Sequence, residues 1–446
     1  MPRHLIGRTA VRGTILALAL ASLLLSERAQ DTEPSTSSTS SVTAVDFAAA
    51  GAAAAPAETE SMSIAESYAA DYGVSVEDAS KILDLQVISG DLVSTLAERF
   101  GETSFDAWRE VSAGAATLVV RTDDVEIVRT AERLADAAGV PLSTLHGVAF
   151  SSQGDVLVDL IPRIQDVYAG DTSALQGAYI DAKTGQIVLD VRSSSAAQES
   201  SAESLVGSAV RGLDAWSSLG ADDSILRVQA TNGEVGDSAI LRGGNATVPA
   251  CTVGFTAQIG TTSISSRGFW TAAHCLTSIP WFANPGGSGT SYASSYSHRN
   301  WNGYADIAYF TINTSSHSAY TTFYGDSLTT PRQNPSSYTF AVATDYLCHR
   351  GETSGQRCGT VSSTSYAPTW SNACNGAICQ PVFVRVNGAG QDSGDSGGPW
   401  YYTNGAGTNR AYGIHKGGTY PGTTPTFSVY SKLLYRPLET RLRYNY

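Results

Sequence analysis

Apolar positions recur at helical spacing in part of this chain and at strand spacing in most of the rest. Ile82, Leu83, Val87 and Ile88, followed by Leu92, Leu96 and Phe100, form one continuing stripe. Ser75-Val76-Glu77-Asp78 ahead of it has the form of a capping box, and Gly101 behind it is a good stop. The run 116–121 (ATLVVR) predicts a strand, 125–138 a helix, and 147–151 another strand. Residues 178–191 alternate on both sides of a turn containing Gly185 and predict a hairpin. Helices interleaved with strands predict a small α/β region over 61–239. Beyond residue 240 the pattern changes. Short apolar runs at 253–259, 268–270, 307–312, 338–342, 381–386, 411–414 and 426–430 are separated by turn-forming residues. Many short strands with turns between them predict an all-β barrel or sandwich. The end, 431–444, reads as a short terminal helix that Pro437 complicates.

The first 60 residues build no core. Residues 1–12 hold Arg3, Arg8 and Arg12 and no acid, and 13–25 is the apolar run GTILALALASLLL. That is the layout of a secretory signal peptide, too short for a comfortable membrane span. Residues 31–60 are rich in Ser, Thr and Ala and read as a flexible linker. The expected organisation is a signal peptide over 1–30, a linker over 31–60, an α/β region over 61–239 and a β-rich domain over 240–446. The expected location is extracellular.

Charge and cysteine divide the chain at the same place. Residues 1–239 carry 15 Lys/Arg against 34 Asp/Glu, and residues 240–446 carry 13 against 7. The two halves can attract each other. The arginines of the second half are scattered, so nucleic acid is not an expected partner. All six cysteines, Cys251, Cys275, Cys348, Cys358, Cys374 and Cys379, lie in the second half. An even count in one region of an exported chain implies disulfides, with 15 connectivities open. Zinc is the competing reading, but no Cys-x-x-Cys and no nearby His pair supports it.

Two stretches carry candidate chemistry. Gly394-Asp395-Ser396-Gly397-Gly398-Pro399 sets a serine among glycines, a weak signal alone. Thr271-Ala272-Ala273-His274-Cys275 lies far upstream. A serine hydroxyl needs a base within hydrogen-bond reach, and the base needs a partner that fixes its tautomer. Together the two stretches resemble the nucleophile and histidine loops of chymotrypsin-like serine proteases. Asp306, at the start of an apolar strand and between histidine and serine in chain order, fits that family's third member. Asp326 and Asp345 come later and lack that setting. The resemblance implies an acyl-enzyme mechanism, with His274, Asp306 and Ser396 catalytic and the N–H groups of Gly394 and Ser396 as the oxyanion hole. It also implies two six-stranded antiparallel β-barrels with a C-terminal helix.

Leu241-Arg242-Gly243-Gly244-Asn245-Ala246 resembles the mature start of streptogrisin-like enzymes, which sets maturation near 238–241. The loop from Cys348 to Gly359 is similar to a bridged loop of streptogrisins and α-lytic protease, and a Cys251–Cys275 bridge also fits the family. Cys374 and Cys379 remain, around the turn dipeptide Asn375-Gly376. Phe105-Asp106-Ala107-Trp108 and the later hairpin are similar to the pro-regions of this group. That likeness implies a zymogen whose 61–239 region assists folding, inhibits, and is removed. Asp392 stands where many relatives carry a cysteine, and Asp395 is expected to shape the loop from a buried position.

The specificity pocket is expected from Gly390, Ser393, His415, Lys416 and Gly418. Gly390 stands where trypsins carry a pocket aspartate, so cleavage after Lys or Arg is not supported. Glutamate-specific relatives place a serine and a histidine where Ser393 and His415 fall, so His415 and Lys416 can favour an acidic side chain. The rival is an apolar pocket with Lys416 in solvent. A serine esterase and a non-catalytic homologue acting as a binding module are the other classes weighed. The esterase elbow needs a strand–turn–helix and a later histidine. No cofactor or metal is called for, although scattered aspartates could hold calcium. The expected partners are protein or peptide substrates and the chain's own pro-region in cis, with no membrane after signal cleavage and a monomeric enzyme.

Overall fold

The computed structural model describes residues 63–112, 115–150, 157–162, 175–192, 226–231, 235–237 and 247, and most of 251–443. The expected signal peptide, linker and maturation point lie outside the described residues. Among those described, no helix is long and apolar enough to cross a membrane.

Helices span Ile64–Tyr72, Val76–Phe100 and Val125–Ala138. Each begins on a side chain that satisfies the orphan N–H groups of its first turn. Ser63 and Glu66 form a full capping box. Ser75 accepts from Asp78 N–H, while its hydroxyl turns to the Asp78 carboxylate. Asp124 accepts from Glu126 and Ile127. The long helix serves two cores. Leu92, Val93, Leu96 and Ala97 pack with Ile127, Ala131 and Ala135 of the third helix over Leu118 and Val120. Ile82, Leu83 and Val87 join the larger core that includes Tyr346, Tyr402 and Tyr412 of the C-terminal half.

Strands Asp106–Ser112 and Ala115–Thr122 form an antiparallel hairpin, and Leu142–His146 pairs in parallel with the second. The strand expected at 147–151 is therefore at Leu142–His146. The third helix stops at Gly139, and the Pro141 carbonyl already accepts from Leu118 N–H, so the chain joins the sheet at once.

Six strands of the cysteine-bearing half close on themselves: Tyr346–Gly351, Pro399–Thr403, Asn409–Thr419, Phe427–Lys432, Phe383–Asn387 and Gly355–Pro368, which returns to the first. A second sheet runs in the order Ser294–Asn302, Ala305–Ile312, Arg267–Thr271, Thr256–Ile259 and Thr440–Leu442. The mostly β, chymotrypsin-like architecture is the one the resemblance implies; one six-stranded barrel closes, and the second sheet has five strands among the described residues. The barrel's outer edge carries strands of the acidic region: Leu175–Ile180 pairs with Gly355–Pro368 through Tyr179 opposite Tyr366, and continues into Ile187–Arg192 and Leu226–Thr231.

Two further expectations fail. The C-terminal helix is a single 3₁₀ turn, Leu433–Tyr435, followed by the strand Thr440–Leu442. Pro437 offers no N–H and holds Arg436 extended at ψ 163°, so the helix cannot propagate. The strand expected at 338–342 makes only one bridge, Tyr338 to Ala411. Side chains take its backbone N–H groups instead: Ser94 Oγ accepts from Phe340 and Asp345 from Val342.

Candidate active site

The histidine loop follows directly on the strand Arg267–Thr271, and Asp306 is the second residue of Ala305–Ile312, which pairs with it. That pairing brings the two together. Asp306 Oδ1 accepts the His274 backbone N–H at 2.8 Å, and Oδ2 accepts Nδ1–H at 2.6 Å. With Nδ1 donating, Nε2 is left as an acceptor, and Ser396 Oγ lies 2.8 Å from it. Asp306 and Ser396 are fully buried. Burial opposes ionisation of Asp306, but His274 and Lys416 outweigh it and hold the carboxyl below its ordinary range.

The nucleophile loop is gripped from two sides. Thr252 N–H donates to the Ser396 carbonyl at 2.6 Å, and Thr252 Oγ1 donates to the Gly394 carbonyl at 2.7 Å. Gly397 N–H donates to the His415 carbonyl, and His415 N–H to that of Gly398, each at 2.8 Å. Gly394 and Gly397 have φ of 106° and 91°, a region open to glycine. Asp395 is buried and accepts from the N–H groups of Thr353 and Ser354 on Oδ1 and of Asp392 on Oδ2. Ser396 leads into the strand Pro399–Thr403, not into the helix of an esterase elbow.

The cysteines are joined as Cys251–Cys275, Cys348–Cys358 and Cys374–Cys379. Cys251, His274 and Cys275 crowd together. Bonded sulfurs offer no thiolate, and His274 is engaged by Asp306 and Ser396, so the group does not suit a metal.

The expected pocket residues divide. Gly390 and Gly418 are held close to other chain: a Cβ would meet Thr426 Cγ2 at 2.8 Å at the first and the Phe427 carbonyl at 2.4 Å at the second. Ser393 is half-buried, and its carbonyl accepts from Thr353 Oγ1. His415 is fully buried, accepts Trp400 Nε1–H on Nδ1 at 3.2 Å, and has Nε2 2.9 Å from Gln391 Oε1. Burial, then the neighbouring His349, His274 and Lys416, hold it well below the usual histidine range, so it is neutral. Lys416 corrects the sequence reading. It lies neither in the pocket nor in solvent: it is fully buried, with Nζ 2.8 Å from Asp306 Oδ2 and also donating to the Ala373 carbonyl. The cause is a β-bulge. Tyr430 pairs with His415 and Val429 with Gly417, which leaves Lys416 as the extra residue and re-aims its side chain. Gln391 and Trp400, which fix His415, carry no sequence signal of that role.

Residues 244–437 match the family model described as Trypsin. That match spans most of the cysteine-bearing half and supports a proteolytic function for it. Among solved structures, Thermobifida fusca protease A is 22% identical, over 44% of this chain and 92% of that one, with a TM-score of 0.33. Cellulomonas bogoriensis chymotrypsin is 22% identical over 46% and 98%, with a TM-score of 0.33. Nocardiopsis protease is 21% identical over 46% and 98%, with the same TM-score.

Proposed function

We propose that this chain is the precursor of an exported serine endopeptidase that cuts peptide bonds through an acyl-enzyme. The observation that carries the reading is the continuous relay from Ser396 Oγ through the His274 ring to Asp306, with contacts of 2.8 and 2.6 Å. Ser396 Oγ attacks the scissile carbonyl while His274 Nε2 takes its proton. Asp306 holds the ring and stabilises the imidazolium. The N–H groups of Gly394 and Ser396 receive the developing oxyanion. His274 then gives its proton to the leaving amine. Water, activated by the same nitrogen, releases the acyl group and regenerates Ser396.

The acidic region acts as the removable inhibitor. Its strand Val235–Asp237 runs antiparallel to Gly417–Thr419, with Asp237 opposite Gly417. Continuing in that direction leads to Lys416, whose carbonyl is 3.4 Å from Ser396 Oγ. This supports maturation near 238–241. Export rests on the signal-like first 30 residues. With Lys416 turned to Asp306 and His415 neutral, neither supplies a cation for an acidic substrate side chain, which favours the apolar reading of the pocket.

An organophosphonate tests the reading. It labels Ser396 in the matured enzyme, and the labelled enzyme no longer degrades casein. Labelling elsewhere, or casein hydrolysis that survives full labelling, contradicts it. A peptide-library profile tests the pocket, with preference for Glu or Asp as the contradicting result.

A further inference from the structure

We infer that Lys416 is a positioning residue of the triad: its buried ammonium, anchored on the Ala373 carbonyl, fixes the Asp306 carboxylate and sets the acid edge of the range in which His274 works as a base. This inference rests on the protease reading.

The geometry ties Lys416 to the triad at its far end. Nζ shares Asp306 Oδ2 with His274 Nδ1–H, at 2.8 and 2.6 Å. Ala373, the other anchor, immediately precedes Cys374, so the loop clipped by Cys374–Cys379 holds the ammonium in place. The Trp370 and Phe383 rings stand 5.5 and 5.9 Å from Nζ and close the site to water. Lys416, Asp306, Ala373, Trp370 and Phe383 are all buried and His274 is nearly so, which leaves the ammonium and the carboxylate little freedom to rotate. The carboxylate is therefore held on two sides, by a ring that must change charge during the reaction and by an ammonium that need not.

That arrangement changes the electrostatics at His274. An aspartate alone favours the imidazolium and raises the ring's affinity for a proton. Here the carboxylate is already paired with a fixed cation, so the ring faces a neutral pair and meets like charge when it gains a proton. The consequence is a base that stays unprotonated into more acidic solution, with a smaller drive for proton transfer at each turnover. The surrounding elements add little to oppose this. His415, beside Lys416 on the same strand, is neutral. Arg299 lies over Trp301, whose ring is 6.4 Å from that of His274. Ser431 accepts the Asp306 N–H and carries no charge. Asp395, on the nucleophile loop, faces Thr353 and Ser354.

The test is the pH profile of kcat/KM on a peptide anilide, measured for the matured wild type, K416S, K416M and K416R. The wild-type acid limb is expected below the ordinary histidine value of about 6.5. In K416S and K416M it moves up by about one pH unit, as removal of one nearby like charge requires. K416R keeps it low, and KM changes by less than about twofold while kcat carries the difference. A purely structural role would lower activity without moving the limb. A limb unmoved in K416S or K416M, in enzyme that still labels fully at Ser396, overturns the inference. A wild-type limb at or above about pH 7 does so too, even where no uncharged variant folds. Wild type that fails to label at Ser396 overturns the protease reading instead, and this inference with it.

Discussion

Lys416 Nζ sits 2.8 Å from Asp306 Oδ2, and neither side chain reaches solvent. A buried pair of this kind adds little net stability while intact, but losing one partner strands the other charge. Asp306→Asn should therefore damage two things at once. Turnover falls about 10⁴-fold because the amide no longer fixes the working His274 tautomer. Stability falls by about 3–5 kcal/mol because the ammonium loses its counter-ion. The double variant D306N/K416M should regain most of the stability and none of the activity. Denaturant unfolding beside a rate assay checks it, and a double variant as unstable as D306N counts against the pair.

The nucleophile loop leaves no room at Gly397. A Cβ there would meet Thr271 Oγ1 at 2.0 Å and the Thr252 carbonyl at 2.3 Å, and φ is 91°. Gly397→Ala should push the loop away from the histidine loop and abolish labelling by an organophosphonate. An unstrained glycine-to-alanine replacement stabilises by roughly 0.4–1 kcal/mol, whereas this one should destabilise by more than that amount. Near-normal labelling of the variant contradicts the packing described.

Asp345 gives a pH dependence with a definite sign. It is buried against Arg109 of the acidic region, at 2.5 Å by charge contact, and burial outweighs the arginine so that its carboxyl is pushed up to about 6. The folded precursor then holds a proton that the unfolded chain has released. Its contribution is fully present below the unfolded value of about 3.9 and is lost as pH rises through about 6. In an S396A precursor, wild type should lose stability relative to D345N between pH 4 and pH 7. A constant or widening wild-type advantage over that window contradicts the assignment.

Much of this site was legible from two short motifs and chain order. The Gly394–Pro399 and Thr271–Cys275 stretches, with Asp306 between them, pointed to the three residues that the fold brings into contact. The helices at 76–100 and 125–138 followed from spacing and caps. Lys416 was not legible, because strand alternation sends it to solvent or the pocket and only the bulge between His415 and Gly417 redirects it. The terminal helix failed at Pro437, where a local apolar pattern met a backbone that cannot continue it. The pairing of Leu175–Ile180 with Gly355–Pro368 was hidden for another reason. Alternation marks a strand but does not name its partner, and these two lie nearly two hundred residues apart.

That pairing also bears on folding. The barrel depends on non-local contacts whose loop-closure entropy is lost before the strands reward it. The acidic region supplies a preformed edge at Tyr179 and a long helix that packs on the barrel core. Residues 240–446 alone should refold poorly, and residues 61–239 added in trans should rescue them. Equal refolding rates with and without the added region contradict this.

The central claim is that Ser396 is the nucleophile. The ratio of turnover between wild type and Ser396→Ala, measured on casein with matured enzyme, tests it most directly. The predicted result is a loss on the order of 10⁶. Hydrolysis by the alanine variant within about tenfold of wild type would contradict it.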